Sequence, residues 1–287
     1  MSAGTAAGGA PIHWTFVGAG NMAASLVGGL LAAGGQARDV LLVDPHADTR
    51  EGASGRFGVS AVASLEEAPP PDEDRPRGYV VAVKPDVVER ACRAIAARHP
   101  TGPAPLVVSV AAGVRLDALA RWLPEGTPIC RCMPNTPALL GLGASGLHAN
   151  ALCDDEDVAR AEALLRTAGL VVRVAEESQL DAVTATSGSG PAYVFYLVEQ
   201  MAAAAVRLGL DETAARDLAI ETAFGAASML RAGEASPAEL RRRVTSKGGT
   251  TAAAIASFDA AGLDRIVLEA MRAARDRAVE LGDEHSP

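Results

Sequence analysis

From Ile12 to Asp181 the chain alternates short β-branched, apolar runs with longer Ala-rich stretches of helical periodicity. Ile12–Val17, Val40–Val43, Tyr79–Val83, Leu106–Val110 and Val171–Val174 read as strands, and Met22–Ala33, Val87–His99, Leu116–Leu123 and Asp154–Thr167 as the helices between them. That order predicts a parallel sheet covered on both faces. Pro69–Asp74 is too rich in proline and charge for either element and reads as a surface loop. After about Ala175 the strand signal stops. Gln179–Leu208, Asp211–Ala232, Ser236–Val244, Thr250–Ala260 and Asp264–Leu281 then read as helices. Asp211 and Ser236-Pro237 supply start signals, and Gly209, Gly233 and Gly262 stand where helices would end. The division predicted is a Gly/Ala-rich disordered tail over 1–11, an α/β domain over 12–175 and an all-helical domain over 176–287.

Composition narrows the possibilities. Apolar residues make up 49% of the 287 and aromatics only 3%, so the core must be built from Ala, Val and Leu. Helices with Ala on several faces are expected to pack against more than their own chain, which predicts an oligomer. A net charge of −9, with Arg241–Arg243 as the one compact basic run, disfavours nucleic acid as a partner. Cys92, Cys130, Cys132 and Cys153 fit neither a zinc pair nor a disulfide framework; they read as reduced thiols of a cytoplasmic protein, with no metal. No apolar run reaches membrane-spanning length without interruption, so no membrane role is expected.

Phe16-Val17-Gly18-Ala19-Gly20-Asn21-Met22-Ala23 follows the first strand and opens the first helix, in the G-x-G-x-x-A form of a dinucleotide fingerprint. Gly18 permits the tight turn, Gly20 lets backbone approach a pyrophosphate, and Ala23 permits close helix–strand contact. The fold class expected is therefore a Rossmann nucleotide-binding domain followed by an all-α domain. Asp44 ends the second strand, placed to bond ribose hydroxyls and to repel a 2′-phosphate, unless Asp44-Pro45 is only a turn. Its charge tilts the choice toward NADH, while His46 and Arg50 nearby suit NADPH, so the preference stays open. Ala82-Val83-Lys84-Pro85 and Ser109–Gly113 end two further strands, where a parallel sheet presents its crevice. Lys84 is one of two lysines in the chain, and the small Ala111 and Ala112 leave room for a nicotinamide-ribose.

Three later segments are more specific. Arg131–Pro137 reads as a rigid turn with prolines flanking Asn135-Thr136, and Ser187–Tyr193 interrupts what would be a long helix near its start. Val244–Thr251 combines glycines and hydroxyls ahead of another helix, which suits a small carboxylate, although Ser and Thr there are commonly just caps. Gly18–Met22, Ala82–Pro85, Met133–Pro137, Ser187–Tyr193 and Thr245–Thr251, in this order, resemble pyrroline-5-carboxylate reductase over about Ile12 to Leu281. Lys247 departs from the pattern, since many members have proline there, yet the glycines and hydroxyls remain.

The resemblance implies reduction of L-1-pyrroline-5-carboxylate, a cyclic imine, to L-proline with NADPH or NADH, the last step of proline biosynthesis. It implies a helical dimerisation domain, a homodimer that often assembles further into decamers, and an active site shared between domains and partly between chains. It also implies cofactor contacts from Val17, Gly18, Ala19, Gly20, Asn21, Met22, Asp44, Ala82, Val83, Lys84, Pro85, Ala111, Ala112 and Asn135. Ser246, Gly248, Gly249 and Thr250 would take the substrate carboxylate. Thr251 would bring its hydroxyl to the ring nitrogen, and Glu234 would stabilise iminium charge. Two rivals are weaker. A β-hydroxyacid-type dehydrogenase needs a lysine on the helix from Tyr193 onward, which has none. A silent nucleotide-binding scaffold would have no use for the Thr245–Thr251 loop.

Overall fold

The computed structural model describes residues 12–70, 76–100 and 102–286. The tail expected over 1–11, and residues 71–74 of the expected surface loop, lie outside them. The first half runs β1 (His13–Val17), α1 (Asn21–Ala32), β2 (Val40–Val43), α2 (Ala47–Phe57), β3 (Ser60–Val62), β4 (Arg77–Val81), α3 (Val88–Arg98), β5 (Leu106–Ser109) and α4 (Leu116–Trp122). It continues with β6 (Ile129–Met133), β7 (Gly143–Ala149), α5 (Asp155–Arg166) and β8 (Gly169–Arg173). The strands form one sheet in the order β3-β2-β1-β4-β5-β6-β7-β8. The order reverses at β1, and ligands of such sheets sit outside the strand carboxyl ends at that switch point.

The predicted strands and helices are all present, with ends displaced by a few residues, and three strands and one helix join them. The all-parallel expectation is corrected: β7 runs antiparallel to β6, and β8 follows β7. The turn predicted over Arg131–Pro137 is also corrected, because Arg131–Met133 is the end of strand β6 and the turn begins after it. β6 carries Arg131 in its interior and β7 reads Gly-Ala-Ser-Gly-Leu-His-Ala, so neither shows a β-branched run. β7 is small for a packing reason: a Cβ on Gly146 would come within 2.8 Å of Val183, which lies over it.

Alternation along the central strands divides the core into two faces. Phe16, Leu42, Val80 and Val108 pack with Leu26 of α1 and Leu164 of α5, while Val43, Val81, Val107 and Ile129 pack with Ile95 of α3 and Leu119 of α4. Each such fully buried side chain contributes about 1.5–3 kcal/mol. Tertiary burial therefore holds the sheet together with few aromatic rings.

The chain continues through α6 (Gln179–Val183), one π-helical turn (Thr184–Gly188) and α7 (Gly190–Arg207), where one helix was expected. There follow α8 (Glu212–Arg231), α9 (Pro237–Arg243), α10 (Thr250–Ala260) and α11 (Leu263–His285). Packing assigns the described residues of 12–188 and 275–286 to one compact unit and residues 189–274 to a second. Within the second unit α7 packs along α8, and Phe195, Tyr196 and Phe224 stay 68%, 64% and 63% exposed. Aromatic exposure on that scale marks a surface made for another chain.

Gly143 and Gly169 pair in register at the start of β7 and β8, and Gly169 has φ +146°. A Cβ on Gly169 would fall on the Gly143 backbone. Gly169→Ala should lower unfolding free energy by about 3 kcal/mol or more in urea denaturation. A loss near zero would show that this strand pair is not packed as described.

Candidate nucleotide and substrate site

The carboxyl ends of β1, β2 and β4 meet around Gly18. Its N–H donates to the Val43 carbonyl at 2.8 Å, and the Ala82 N–H donates to the Val17 carbonyl at 2.9 Å. Gly18 has φ +100°, and a Cβ there would lie 2.6 Å from the Ala82 carbonyl oxygen. Glycine is thus demanded by the protein's own packing. Gly20 is different. It has φ −70°, which any residue adopts, and a Cβ there would meet nothing within 4 Å. The glycine at this position leaves open space beside the backbone, as close approach of a pyrophosphate requires.

Gly20 is the N-cap of α1, makes no side-chain cap and is followed by no acidic residue in the first turn. The first-turn N–H groups therefore face outward at the positive end of the helix dipole, an arrangement that favours an anion. Asn21 is exposed at that turn, Met22 is half-buried against the core, and Ala23 is fully buried against the sheet.

Asp44 has a role that spacing alone did not reveal. One carboxylate oxygen accepts the Ala19 N–H and the other the His46 N–H, each at 2.9 Å. The side chain latches the Gly-rich loop to the end of β2 and is 8% exposed. The carboxylate thus serves the turn after β2 and the Gly-rich loop at once. Arg50 donates to the Asp44 carbonyl at 2.8 Å, and His46 is exposed beside it.

Ala82 and Val83 continue from β4 beneath Gly18, and Lys84 is exposed as the residue before a short helical turn opened by Pro85. After β5, Ala111 is buried and Ala112 exposed. The Ser109 hydroxyl at that strand end is buried with no partner among the described residues, a polar group to spare beside the expected ribose crevice. Asn135 is occupied internally: its amide donates to the Ser187 carbonyl at 3.0 Å, and its oxygen accepts the Ala144 N–H at 2.8 Å. It ties the end of β6 to the π-helical turn. Such turns recur at functional sites. The residues present fit a dinucleotide: an open cradle at Gly20, an uncapped helix start, and small residues at the next two strand ends.

The second unit holds the other candidates. Gly248 has φ +73°, in the left-handed region, and turns the chain into α10. The Gly249 N–H closes that turn on the Ser246 carbonyl at 3.1 Å, and its carbonyl starts the helix by accepting the Ala253 N–H. The Gly249 amide, expected among the carboxylate's donors, is thus engaged within the loop. A Cβ on Gly249 would collide with the Ser246 hydroxyl. Like Gly20, Gly249 is an N-cap without a side chain, and no acidic residue follows in the first turn. α5, α8 and α9, by contrast, are capped by Asp154, Asp211 and Ser236.

Ser246 and Thr250 are exposed and Thr251 is half-buried. The hydroxyls of Thr184, Ser228 and Thr245 bond back to carbonyls one turn earlier, at 2.6–2.8 Å, whereas the Thr251 hydroxyl makes no such bond. Glu234 is exposed between α8 and α9, and no hydrogen bond joins it to the Thr245–Thr251 loop. No group of three or more His, Cys, Asp or Glu that could hold a metal occurs among the described residues. The reading of pattern alone missed Glu177 and Arg131, which bond at 2.7 Å behind the β5 and β6 ends. An arginine inside a strand was the signal that could have found them.

Residues 177–281 match the family model for pyrroline-5-carboxylate reductase dimerisation, and residues 14–113 match that for NADP oxidoreductase, coenzyme F420-dependent. The chain is 46% identical to pyrroline-5-carboxylate reductase of Pseudomonas aeruginosa over 269 residues, 94% of this chain and 96% of that one. It is 36% identical to the Synechocystis enzyme of the same name, covering 94% and 98%. A solved pyrroline-5-carboxylate reductase from Coxiella burnetii superposes with a TM-score of 0.88 at 35% identity, covering 94% and 98%. The Plasmodium falciparum pyrroline carboxylate reductase solved with NADP bound gives 0.78 at 25%, covering 96% and 100%.

The two loop glycines should separate by experiment. Gly20→Ala should leave the melting temperature nearly unchanged but weaken dinucleotide binding about tenfold or more, because only the ligand's approach is blocked. Fluorescence titration beside thermal melts checks this. Unchanged binding would remove the pyrophosphate from Gly20.

Proposed function

The chain belongs to the pyrroline-5-carboxylate reductase family, and from that premise we propose how its own residues divide the work of turning L-1-pyrroline-5-carboxylate into L-proline. The reaction is an NAD(P)H-dependent reduction of a C=N bond. When bound, the nicotinamide supplies a hydride to the imine carbon. The protein must hold the dinucleotide, grip the substrate carboxylate and favour the protonated imine.

The dinucleotide is held by Val17, Gly18, Ala19, Gly20, Asn21 and Met22 at the start of α1. Asp44 acts at the adenosine ribose and fixes the loop, while Ala82, Val83, Lys84, Pro85, Ala111 and Ala112 line the way to the nicotinamide. Asn135 acts from behind, through the π-helical turn its amide bonds to. The substrate carboxylate lies on Ser246, Gly248, Thr250 and the first-turn N–H groups of α10, with Gly249 shaping the loop. A carboxylate there completes a helix start that glycine leaves open. Thr251 offers its hydroxyl to the ring nitrogen, and Glu234 stabilises the cation that develops there. The observation that carries this reading is the pair of glycine-capped helix starts, each free of acidic residues, in a chain similar to named reductases over nearly its full length.

The matched dimerisation segment makes the protein an oligomer. The finer reading is a homodimer that assembles further into decamers in the cytoplasm. The exposed aromatic residues of α7 and α8 support the first part. Four free cysteines, and the lack among the described residues of any helix long and apolar enough to cross a membrane, support the second.

Thr251→Ala should lower kcat/KM for pyrroline-5-carboxylate about 10²-fold without abolishing turnover, the usual cost of one oriented donor at a developing charge. Wild-type kcat/KM in that variant would remove Thr251 from the site. Light scattering should give a mass at least twice the 29.2 kDa of one chain, and a monomer would overturn the assembly reading.

A further inference from the structure

The loop after β5, Val110–Arg115, is expected to meet the nicotinamide-ribose; Ala111 and Val114 anchor it in the core, and polar contacts fix its far end. The structure supplies two clamps. On one side, Arg115 donates its N–H to the Ser286 hydroxyl at 2.9 Å and pairs with Asp283 at 2.7 Å. On the other stands Glu177. One oxygen of its carboxylate accepts the Leu116 N–H at 2.8 Å and the Arg131 guanidinium at 2.7 Å. α4 starts at Leu116 with Arg115 as N-cap and no side-chain cap of its own, so Glu177 does the capping from sixty-one residues away in sequence. Arg131 is 8% exposed on β6, in register with Ser109 of β5, the last residue before the loop. A buried guanidinium needs a carboxylate, and the one it finds is also the anchor of the loop's far end.

We propose that Glu177 is a positioning residue for the cofactor: through Leu116 and Arg131 it fixes the height of the Ala111–Gly113 loop above the ends of β5 and β6. The inference rests on the reading that this loop meets the nicotinamide-ribose. It assigns Glu177 no contact with substrate. It explains why a carboxylate is needed directly ahead of α6, and why Arg131 interrupts an otherwise apolar strand.

The test is a set of variants of the full chain, read by NADPH fluorescence titration, by KM for each substrate and by thermal melts. Glu177→Ala should raise both Kd and KM for NADPH about tenfold and leave KM for pyrroline-5-carboxylate within about twofold, as expected for loss of a charged hydrogen bond behind one subsite only. Glu177→Gln, which still accepts the Leu116 N–H, should recover most of that loss. If Glu177→Ala fails to fold, Arg131→Met/Glu177→Leu removes the ion pair as a unit and should fold while keeping weak NADPH binding. A lower melting temperature with NADPH Kd and KM unchanged would overturn the proposal, as would equal rises in both KM values. Absence of turnover in the wild type would count against the functional reading, and the fluorescence titration would still decide the role of Glu177.

Discussion

Backbone N–H groups left uncapped at the two helices with glycine at the N-cap are the constraint on which this account depends. A helix offers unpaired donors in its first turn, and most helices satisfy some of them with a Ser, Thr, Asp or Asn side chain. α5, α8 and α9 do so here. α1 and α10 begin on Gly20 and Gly249, with no acidic residue in the first turn. Glycine in place of a capping residue costs only about a few tenths of a kcal/mol. The fold tolerates the omission easily, and each start is open to an anion, which the proposed function takes to be a pyrophosphate at one and a small carboxylate at the other.

Such starts are useful only if the backbone around them is rigid. At α1 the rigidity comes from Gly18 packed beneath the Ala82 carbonyl and from Asp44 binding the Ala19 and His46 N–H groups. At α10 it comes from the turn that Gly249 closes on Ser246. Asn135 and Glu177 serve the same end further back, linking β6 to the π-helical turn and to the start of α4. The polar residues around the sheet's carboxyl edge thus act on main chain more than on one another, which suits sites made largely of main-chain atoms.

Much of this was legible in the residues. Periodicity placed the strands β1, β2, β4, β5 and β8, and the Gly18–Ala23 spacing placed a Gly-rich loop between β1 and α1. What escaped was set by tertiary contact. β7 lacks any β-branched run because Val183 and Leu180 lie over Gly146. β6 hides behind Arg131, whose partner Glu177 is forty-six residues away. α2 buries none of its residues, so no apolar stripe announces it. Asp44 stood out as a charge at the end of β2, but its grip on Ala19 depends on a folded loop. The change of composition near 175 and the change of packing at 188 differ because α6 returns Leu180 to the sheet's unit, where it is 1% exposed.

The most direct test follows the hydrogen itself. With nicotinamide cofactor deuterated at the transferring position of C4, pyrroline-5-carboxylate should yield proline carrying one deuterium on C5, the former imine carbon. Mass spectrometry of the product reads it. Proline formed without deuterium, or nucleotide bound with no proline formed, would contradict the account.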